Sequence, residues 1–201
     1  MLSLSPASAL VLFQGVVMEK DVVMMRIDTS DPNFKDTPER VMKAFNEMVF
    51  PKEQIQDELD KIFSKAFPTD YTGIIFVSDI ISHSICPHHL LPVEYDSTIA
   101  YIPGKELNKV IGLSKIIRLA QLLSKQAILQ EDYTQQVASA FTKIIKAKGV
   151  AVVVKGIHNC IRCRGVRSLS PVITSVMEGA FMDSPSTREE FFQLLAYSKR
   201  G

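Results

Sequence analysis

The sequence has no tryptophan, only three cysteines among its 201 residues and a formal net charge of only +1. It also lacks any run approaching the roughly 18 apolar residues that a membrane-spanning helix needs. So few cysteines exclude a small disulfide-stabilised scaffold. Near-neutral charge gives no overall field toward nucleic acid or acidic membranes, so neither is an expected partner. Any anion site must therefore be a local cluster.

Hydrophobic residues are abundant and make up 46% of the chain. At this length they allow one substantial core, so one domain is expected after an N-terminal arm at residues 1–35. The arm is predicted to be disordered or packed on a neighbouring subunit. Within it, residues 10–15 are similar to a protease-site linker, and Met18 is the expected native start. The arm lacks the features of a secretory signal, and a cytoplasmic protein is expected.

Most of the side chains suited to chemistry occur in two short segments, Cys86-Pro87-His88-His89 and His158-Asn159-Cys160. Zinc prefers thiolate and imidazole ligands, and three protein ligands leave a fourth position open for water. Cys86, His89 and Cys160 are therefore candidate metal ligands. His88 and His158 would remain beside the metal as acid–base partners, an arrangement suited to metal-assisted hydrolysis.

Cys163 offers an alternative, because it forms a CxxC pair with Cys160. Together with Cys86 and His89, this pair would make a closed structural zinc site. A disulfide is a third and weaker option, given three cysteines with histidines beside them.

Strand geometry favours the open site. The apolar run at residues 150–154 predicts a buried β-strand, in which alternate side chains share a face. If the strand continues, Cys163 points away from the face that carries His158, Cys160, Arg162 and Arg164. A turn or bulge after Cys160 would reverse this preference.

Hydrophobic periodicity predicts the element order αα-ββ-αα-ββ-α. Helices are expected from about residue 37, at 52–66, 113–125 and 131–148, and from about residue 186. Strands are expected at 73–82, 95–102, 150–164 and 172–181. Strand pairs separated by a helix pair favour an α+β domain, with an antiparallel sheet and helices on one side. Open sheet edges could pair between subunits.

A cluster of polar and basic residues lies at a predicted helix start: Ser114, Lys115 and Arg118. Free backbone N–H groups, a hydroxyl and two cations there would suit a phosphate group. An ordinary polar helix face is the commoner explanation for such a cluster taken alone. Two further arginines, Arg162 and Arg164, strengthen the prediction of an anion site.

The Gln130-Glu131 pair opens the next predicted helix. Its carboxylate would complement the helix dipole, or it would accept hydrogen bonds from a guanidine-like substrate edge. Both interpretations stay open. His83 is interpreted as structural or surface.

These motifs, in this order and spacing, resemble the GTP cyclohydrolase I family over about residues 36–195. The matching segments are Thr37-Pro38-Glu39-Arg40-Val41, Cys86-x-His88-His89, Gly112-Leu113-Ser114-Lys115-x-x-Arg118, Gln130-Glu131, His158-x-Cys160-x-x-x-Arg164-Gly165-Val166 and Thr187-Arg188-Glu189-Glu190-Phe191. One such motif would be weak evidence, but several in register are specific.

The resemblance implies a tunnelling fold (T-fold), in which antiparallel subunit sheets join into a barrel. It also implies a toroidal homodecamer with active sites between subunits. The catalytic domain would occupy residues 36–201, with an N-terminal helical pair at 36–67 and a T-fold core at 73–201.

The resemblance further implies zinc on Cys86, His89 and Cys160, with GTP as substrate. Water activated by zinc would attack C8 of the guanine ring, formate would leave, and 7,8-dihydroneopterin triphosphate would form. The product would feed a folate, biopterin or deazapurine route. His88 and His158 would be the catalytic proton carriers.

Substrate-binding roles are implied in the same way. Glu131, with Gln130, would hold the guanine edge. The triphosphate would be held by charge-assisted hydrogen bonds from Ser114, Lys115, Arg118 and Arg164.

The chain departs from the family pattern at several positions. Pro87 stands where a glutamate is usual, Gln126 and Asp132 stand where basic residues are common, and Arg162 replaces a less charged residue. One alternative is therefore a family paralogue acting on another purine nucleotide. The other is a zinc-stabilised scaffold or regulatory subunit without turnover.

Overall fold

The computed structural model describes residues 11–13, 16–18, 30–64, 66–104 and 109–199. Contacts divide the chain into two units, Met1–Glu47 and Met48–Gly201. The first unit contains a small antiparallel pair, β1 (Val11–Phe13) with β2 (Val16–Met18), and nearly all of α1 (Thr37–Met48). Part of the predicted linker at 10–15 lies outside the described residues. The predicted domain boundaries stay predictions.

A four-stranded antiparallel sheet forms the centre of the second unit. Its strands, in their order across the sheet, are β4 (Ile75–Ile85), β5 (Pro92–Ile102), β7 (Gly149–His158) and β8 (Val172–Gly179). A separate short pair joins β3 (Ala66–Pro68) to β6 (Lys109–Ile111). The predicted α+β class and its antiparallel sheet are confirmed.

The four longer helices of the second unit begin close to where their patterns predict, whereas two short helices, at residues 159–162 and 180–183, occupy the ends of the predicted strands 150–164 and 172–181. They are α2 (Lys52–Phe63), α3 (Leu113–Ser124), α4 (Gln130–Ala140), the single turn α5 (Asn159–Arg162), α6 (Ala180–Asp183) and α7 (Pro185–Ser198). Ser184 caps α7 by accepting a hydrogen bond from the Thr187 amide at 3.3 Å. None of the helices in the described residues is long and apolar enough to cross a membrane.

Both faces of the sheet are packed. Ile99 and Tyr101 of β5 join the core beneath α3 and α4, the predicted helix pair. The alternate residues of β5, Ala100 and Ile102, face the other way and pack with Phe181 and Phe191 from α6 and α7. The main core therefore lies between the sheet and the helix pair, and the C-terminal helices cover part of the opposite face.

The predicted helix at 131–148 is shorter than expected. It ends at Ala140 and continues as one π-helical turn, Phe141–Ile145, after which Lys146 takes a left-handed backbone with φ of 54°. Gly149 follows this segment and begins β7. Gly149 fits there because a Cβ atom would lie 2.9 Å from the main-chain nitrogen of Ala180.

Candidate metal centre and substrate site

Cys86 begins a tight turn directly after β4. Its amide donates to the Leu91 carbonyl at 2.9 Å, and its carbonyl accepts from the Leu90 amide at 2.8 Å. Leu90 has a φ of 51°, which reverses the chain toward β5. The turn buries Cys86, whose exposure is 5%, and leaves His88 and His89 exposed.

The second ligand segment does not continue as a strand, so the predicted strand at 150–164 is wrong beyond His158. Its partner strand β5 starts at Pro92, and His158 pairs with Val93 next to it. Proline has no N–H with which to extend the ladder. Asn159 instead donates to the Pro92 carbonyl at 3.0 Å, and α5 begins there.

The predicted common face of His158, Cys160, Arg162 and Arg164 depended on the alternation of side chains along a strand. This helical turn removes that alternation. Helical spacing places residues three apart on one side, so parity no longer separates Cys160 from Cys163. Contacts separate them instead. The Cys163 thiol is exposed and donates to the Asn159 carbonyl at 2.7 Å.

The predicted ligand atoms nevertheless converge. Those of Cys86, His89 and Cys160 all lie within 4.8 Å of one another, and Sγ of Cys86 is 3.7 Å from Nδ1 of His89. No other such group of histidine, cysteine and acidic side chains is found in the described parts of the chain, and Cys163 lies outside this one. Two thiols and one imidazole are a donor set that fits zinc. We call these three residues the metal triad.

Arg164 lies close enough to the triad to act on it electrostatically. Burial and the neighbouring Cys86 thiol raise the pKa of the Cys160 thiol, whereas the charge of Arg164 opposes that shift. The positive charge of Arg164 thus favours the ionised, metal-binding form of the Cys160 thiol against the larger effect of burial.

His158 sits at the end of β7, half-buried beside the triad segment. Its Nε2 atom lies 2.8 Å from Oε1 of Gln130, and its ring meets that of Tyr95 edge-on at 6.3 Å between centroids. Burial lowers the pKa of His158, and the carboxylate of Glu131 opposes this effect. Helix α4 therefore brings both residues of the Gln130-Glu131 pair to this histidine.

His88 and His83, the two histidines not yet placed, lie in different surroundings. Nδ1 of His88 is 4.0 Å from Sγ of Cys86, which places this exposed ring beside the triad. His83 is exposed on β4, with Nε2 3.7 Å from a carboxylate oxygen of Glu94.

The predicted phosphate cluster occupies the first turns of α3. Ser114 and Arg118 are exposed, while Nζ of Lys115 donates to the Ile62 carbonyl at 2.6 Å. Lys115 and Arg118 line a cavity of about 430 Å³. None of the metal triad residues lines this cavity. Within one chain, the predicted phosphate cluster and the metal triad therefore do not share a cavity.

Sequence reasoning missed several residues of these sites. Lys61 and Lys125 add two cations to the α3 cavity. Thr174 of β8 accepts a hydrogen bond from the Gln130 amide at 3.1 Å, and Gly156 of β7 lies against the same side chain. Only the glycine carried a signal, since an isolated glycine inside a strand marks a close approach of other groups.

Fold and site together define an α+β protein with a candidate Cys/His/Cys metal site at one end of its sheet. The sequence profile of the family described as GTP cyclohydrolase I matches residues 18–196. The chain therefore belongs to the GTP cyclohydrolase I family, a family of enzymes. This confirms the resemblance seen in the motifs, and with the observed sheet and helix pair it identifies the tunnelling fold.

Individual relatives are similar over most of this chain. GTP cyclohydrolase 1 1 of Pseudomonas aeruginosa is 40% identical over 165 residues, which cover 82% of this chain and 86% of that protein. GTP cyclohydrolase 1 of Alkalilimnicola ehrlichii is 39% identical over 170 residues, 84% of this chain and 89% of that protein. The Drosophila melanogaster GTP cyclohydrolase 1 is 41% identical over 160 residues, 79% of this chain but only 48% of that protein. The match thus spans about half of the Drosophila relative.

One solved structure is weakly similar, the archaeosine synthase QueF-Like in the apo form. It shares 14% sequence identity and a TM-score of 0.41, and the match covers 53% of this chain and 94% of that one. This likeness is too weak to support an inference.

Proposed function

We propose that this chain is a zinc-dependent GTP cyclohydrolase I that converts GTP and water to formate and 7,8-dihydroneopterin triphosphate. The observation that carries the proposal is the convergence of Cys86, His89 and Cys160, with ligand atoms within 4.8 Å, in a chain of this family. The product would supply pterin or deazapurine synthesis in the cytoplasm, including tetrahydrofolate and one-carbon metabolism.

The metal triad would hold the zinc ion, which when bound supplies a Lewis acid that lowers the pKa of water and activates it toward C8 of guanine. The chain contributes three ligands and keeps Cys163 apart, its thiol bonded to the Asn159 carbonyl. A fourth position therefore remains for water or substrate, as hydrolysis requires.

His158 and His88 would carry protons to and from the ring nitrogen and ribose oxygen as the imidazole ring opens and the sugar rearranges. His158 is half-buried, and burial favours its neutral form, which is able to accept a proton. His88 is exposed on the Cys86 turn, with Nδ1 4.0 Å from Sγ of Cys86.

Glu131 would hold the guanine edge, because its carboxylate is exposed at the start of α4 and acts electrostatically on His158. A carboxylate there matches the paired N–H groups of guanine. The Gln130 amide has a different environment, since it is 2% exposed and fully bonded within the chain.

The triphosphate would be bound by Ser114, Lys115, Arg118 and Arg164. Arg164 lies beside the triad and the other three lie on α3, which borders a separate cavity. One triphosphate would contact both groups if α3 of one subunit approached the triad of another. The separation of the two groups within one chain supports active sites between subunits, as a homodecamer of this kind would have.

Surface features support subunit assembly. The sheet has β4 and β8 as its edge strands, and open edges favour pairing with another chain. Large apolar side chains next to or within β8 are also exposed, including Val166 at 79%, Leu169 at 73% and Ile173 at 65%.

The direct test is incubation of the zinc-loaded, assembled protein with GTP, with formate measured enzymatically and pterin by fluorescence. His88→Ala and His158→Ala should lose turnover while keeping assembly, whereas His83→Ala, which alters a surface histidine, should keep both. Absence of product from the zinc-loaded assembly would contradict the proposal. A panel of purine nucleotides read by mass spectrometry would reveal a different preferred substrate, the alternative prompted by Pro87, Gln126 and Asp132.

A further inference from the structure

We infer that Gln130 is a positioning residue, which holds His158 in one ring orientation and in the tautomer with hydrogen on Nε2. In this arrangement Nδ1 is the ring atom that exchanges protons with the substrate. The orientation and the tautomer follow from contacts within the chain. Only the use of Nδ1 in catalysis rests on the proposed function.

The orientation of the Gln130 amide is fixed by what surrounds its nitrogen. Nε2 lies 3.1 Å from the carbonyl oxygens of Val154 and Val172, and 3.1 Å from Oγ1 of Thr174. Carbonyl oxygens only accept hydrogen bonds, so the donor end of the amide must face them. A flipped amide would place oxygen against two carbonyl oxygens, and Oε1 therefore faces His158.

Two threonine hydroxyls, those of Thr134 and Thr174, reinforce this orientation of the amide. Thr134 donates to the Gln130 carbonyl at 2.7 Å, and its hydroxyl lies 2.6 Å from that of Thr174. Both ends of Gln130 are thus tied to a hydroxyl pair that links α4 to β8. The side chain is 2% exposed, so water does not compete for these bonds.

The tautomer of His158 follows from the orientation of the amide. An amide oxygen only accepts, so the Nε2 atom 2.8 Å away must carry the hydrogen. A neutral imidazole has one N–H, which leaves the Nδ1 lone pair to accept a proton. Gln130 thereby does for His158 what a fixed hydrogen-bond acceptor does for other catalytic histidines, setting which nitrogen acts as base.

The hydrogen bond between Gln130 and His158 lies directly against Gly156, where no side chain would fit. A Cβ atom on Gly156 would lie 2.0 Å from Oε1 of Gln130 and 3.0 Å from Nε2 of His158. Any side chain at this position would push the amide and the ring apart. The absence of a side chain here is therefore a condition for the Gln130–His158 hydrogen bond.

The test measures tautomer and turnover separately. Zinc-loaded and metal-free protein labelled with 15N-histidine would be studied by magic-angle-spinning NMR, with the His158 signals assigned by their loss in His158→Asn. The native protein should show the Nε2–H form of His158. Gln130→Met and Gly156→Ala should show a mixture of the two tautomers, and Gln135→Met, an exposed change on the same helix, should not.

In the GTP assay, Gln130→Met should lower kcat by about 10²-fold, the scale expected for a misplaced catalytic group, with a smaller change in KM. Gly156→Ala perturbs the same hydrogen bond from β7, so it provides a second test if Gln130→Met fails to fold. Circular dichroism and sedimentation would show whether each variant folds and assembles. An Nδ1–H form in the native protein would overturn the inference, as would an unchanged tautomer in both folded variants. Because NMR needs no turnover, failure of the GTP assay alone would count against the proposed function and leave the tautomer result standing.

Discussion

The ammonium group of Lys115 donates a 2.6 Å hydrogen bond to the main-chain carbonyl of Ile62. It also reaches the Lys61 carbonyl at 3.3 Å, so this cation completes the C-terminal end of α2. Arg118, one turn further along α3, is exposed at the same cavity. Both cations of the predicted phosphate cluster line this cavity, but Lys115 already donates to main-chain carbonyls, whereas Arg118 is directed to solvent.

Arg118→Ala should raise KM for GTP by on the order of 10-fold or more, because charge-assisted hydrogen bonds to a phosphate are lost. The melting temperature should stay unchanged, since Arg118 is exposed. Steady-state kinetics on the zinc-loaded protein would measure the effect. Lys143→Ala, an exposed cation that lines a different cavity, is the matched control. Equal KM values for Arg118→Ala and the native protein would exclude Arg118 from the substrate site.

Tyr133→Phe should destabilise the fold by roughly 1–3 kcal/mol, the usual cost of leaving buried polar groups unpaired. The Tyr133 hydroxyl donates to the Ala120 carbonyl at 3.2 Å and lies within 3.4 Å of the Ser82 and Ser97 hydroxyls. Thermal unfolding would detect the change. Tyr197→Phe removes a hydroxyl from a residue that is 77% exposed and should leave the melting temperature unaltered. Similar melting temperatures for the two variants would show that the buried network contributes little.

The elements that the sequence predicted well are those set by local pattern. Helix α3 begins at Leu113 as expected, because Gly112 precedes a run whose buried positions Ile116, Leu119, Ala120 and Leu123 follow helical spacing. The Cys86–His89 pairing was equally accessible, since a short turn brings these two residues together whatever surrounds it.

The features that sequence missed depend on distant partners. The end of β7 is decided by Pro92 of a neighbouring strand, a contact absent from the local pattern. The environment of Gln130 is likewise made by β7 and β8, so its motif neighbour Glu131 suggested a substrate role for both. Long-range pairing therefore explains why the triad was predicted with the wrong strand geometry.

Lys199→Ala should lower stability by less than about 1 kcal/mol, as is usual for exposed ion pairs. Nζ of Lys199 lies 2.7 Å from a carboxylate oxygen of Asp79 and 3.1 Å from one of Asp96. The hydrogen bond with Lys199 lowers the pKa of Asp79, and the bond with Asp79 raises the pKa of Lys199.

These two shifts define the pH window of the effect. A lowered carboxyl pKa stabilises the fold above its unfolded value, about 3.9, and the gain is lost as pH falls through the folded pKa. A raised ammonium pKa stabilises it below about 10.4, and the gain is lost as pH rises through the folded pKa. The difference between Lys199→Ala and native melting temperatures should be constant near neutral pH and vanish at both extremes. Lys155→Ala, an exposed change on β7, is the control, and a pH-independent difference would rule out the ion pair as its cause.

Zinc content in the three cysteine variants most directly tests the claim that Cys86, His89 and Cys160 form an open metal site. After dialysis against a mild chelator, zinc per subunit would be measured by plasma mass spectrometry for Cys86→Ser, Cys160→Ser and Cys163→Ser. The native protein and Cys163→Ser should each retain about one zinc, as a three-ligand site without Cys163 requires, and the other two should lose it. Loss of zinc from Cys163→Ser would show instead that this thiol closes the site and would contradict the hydrolytic account.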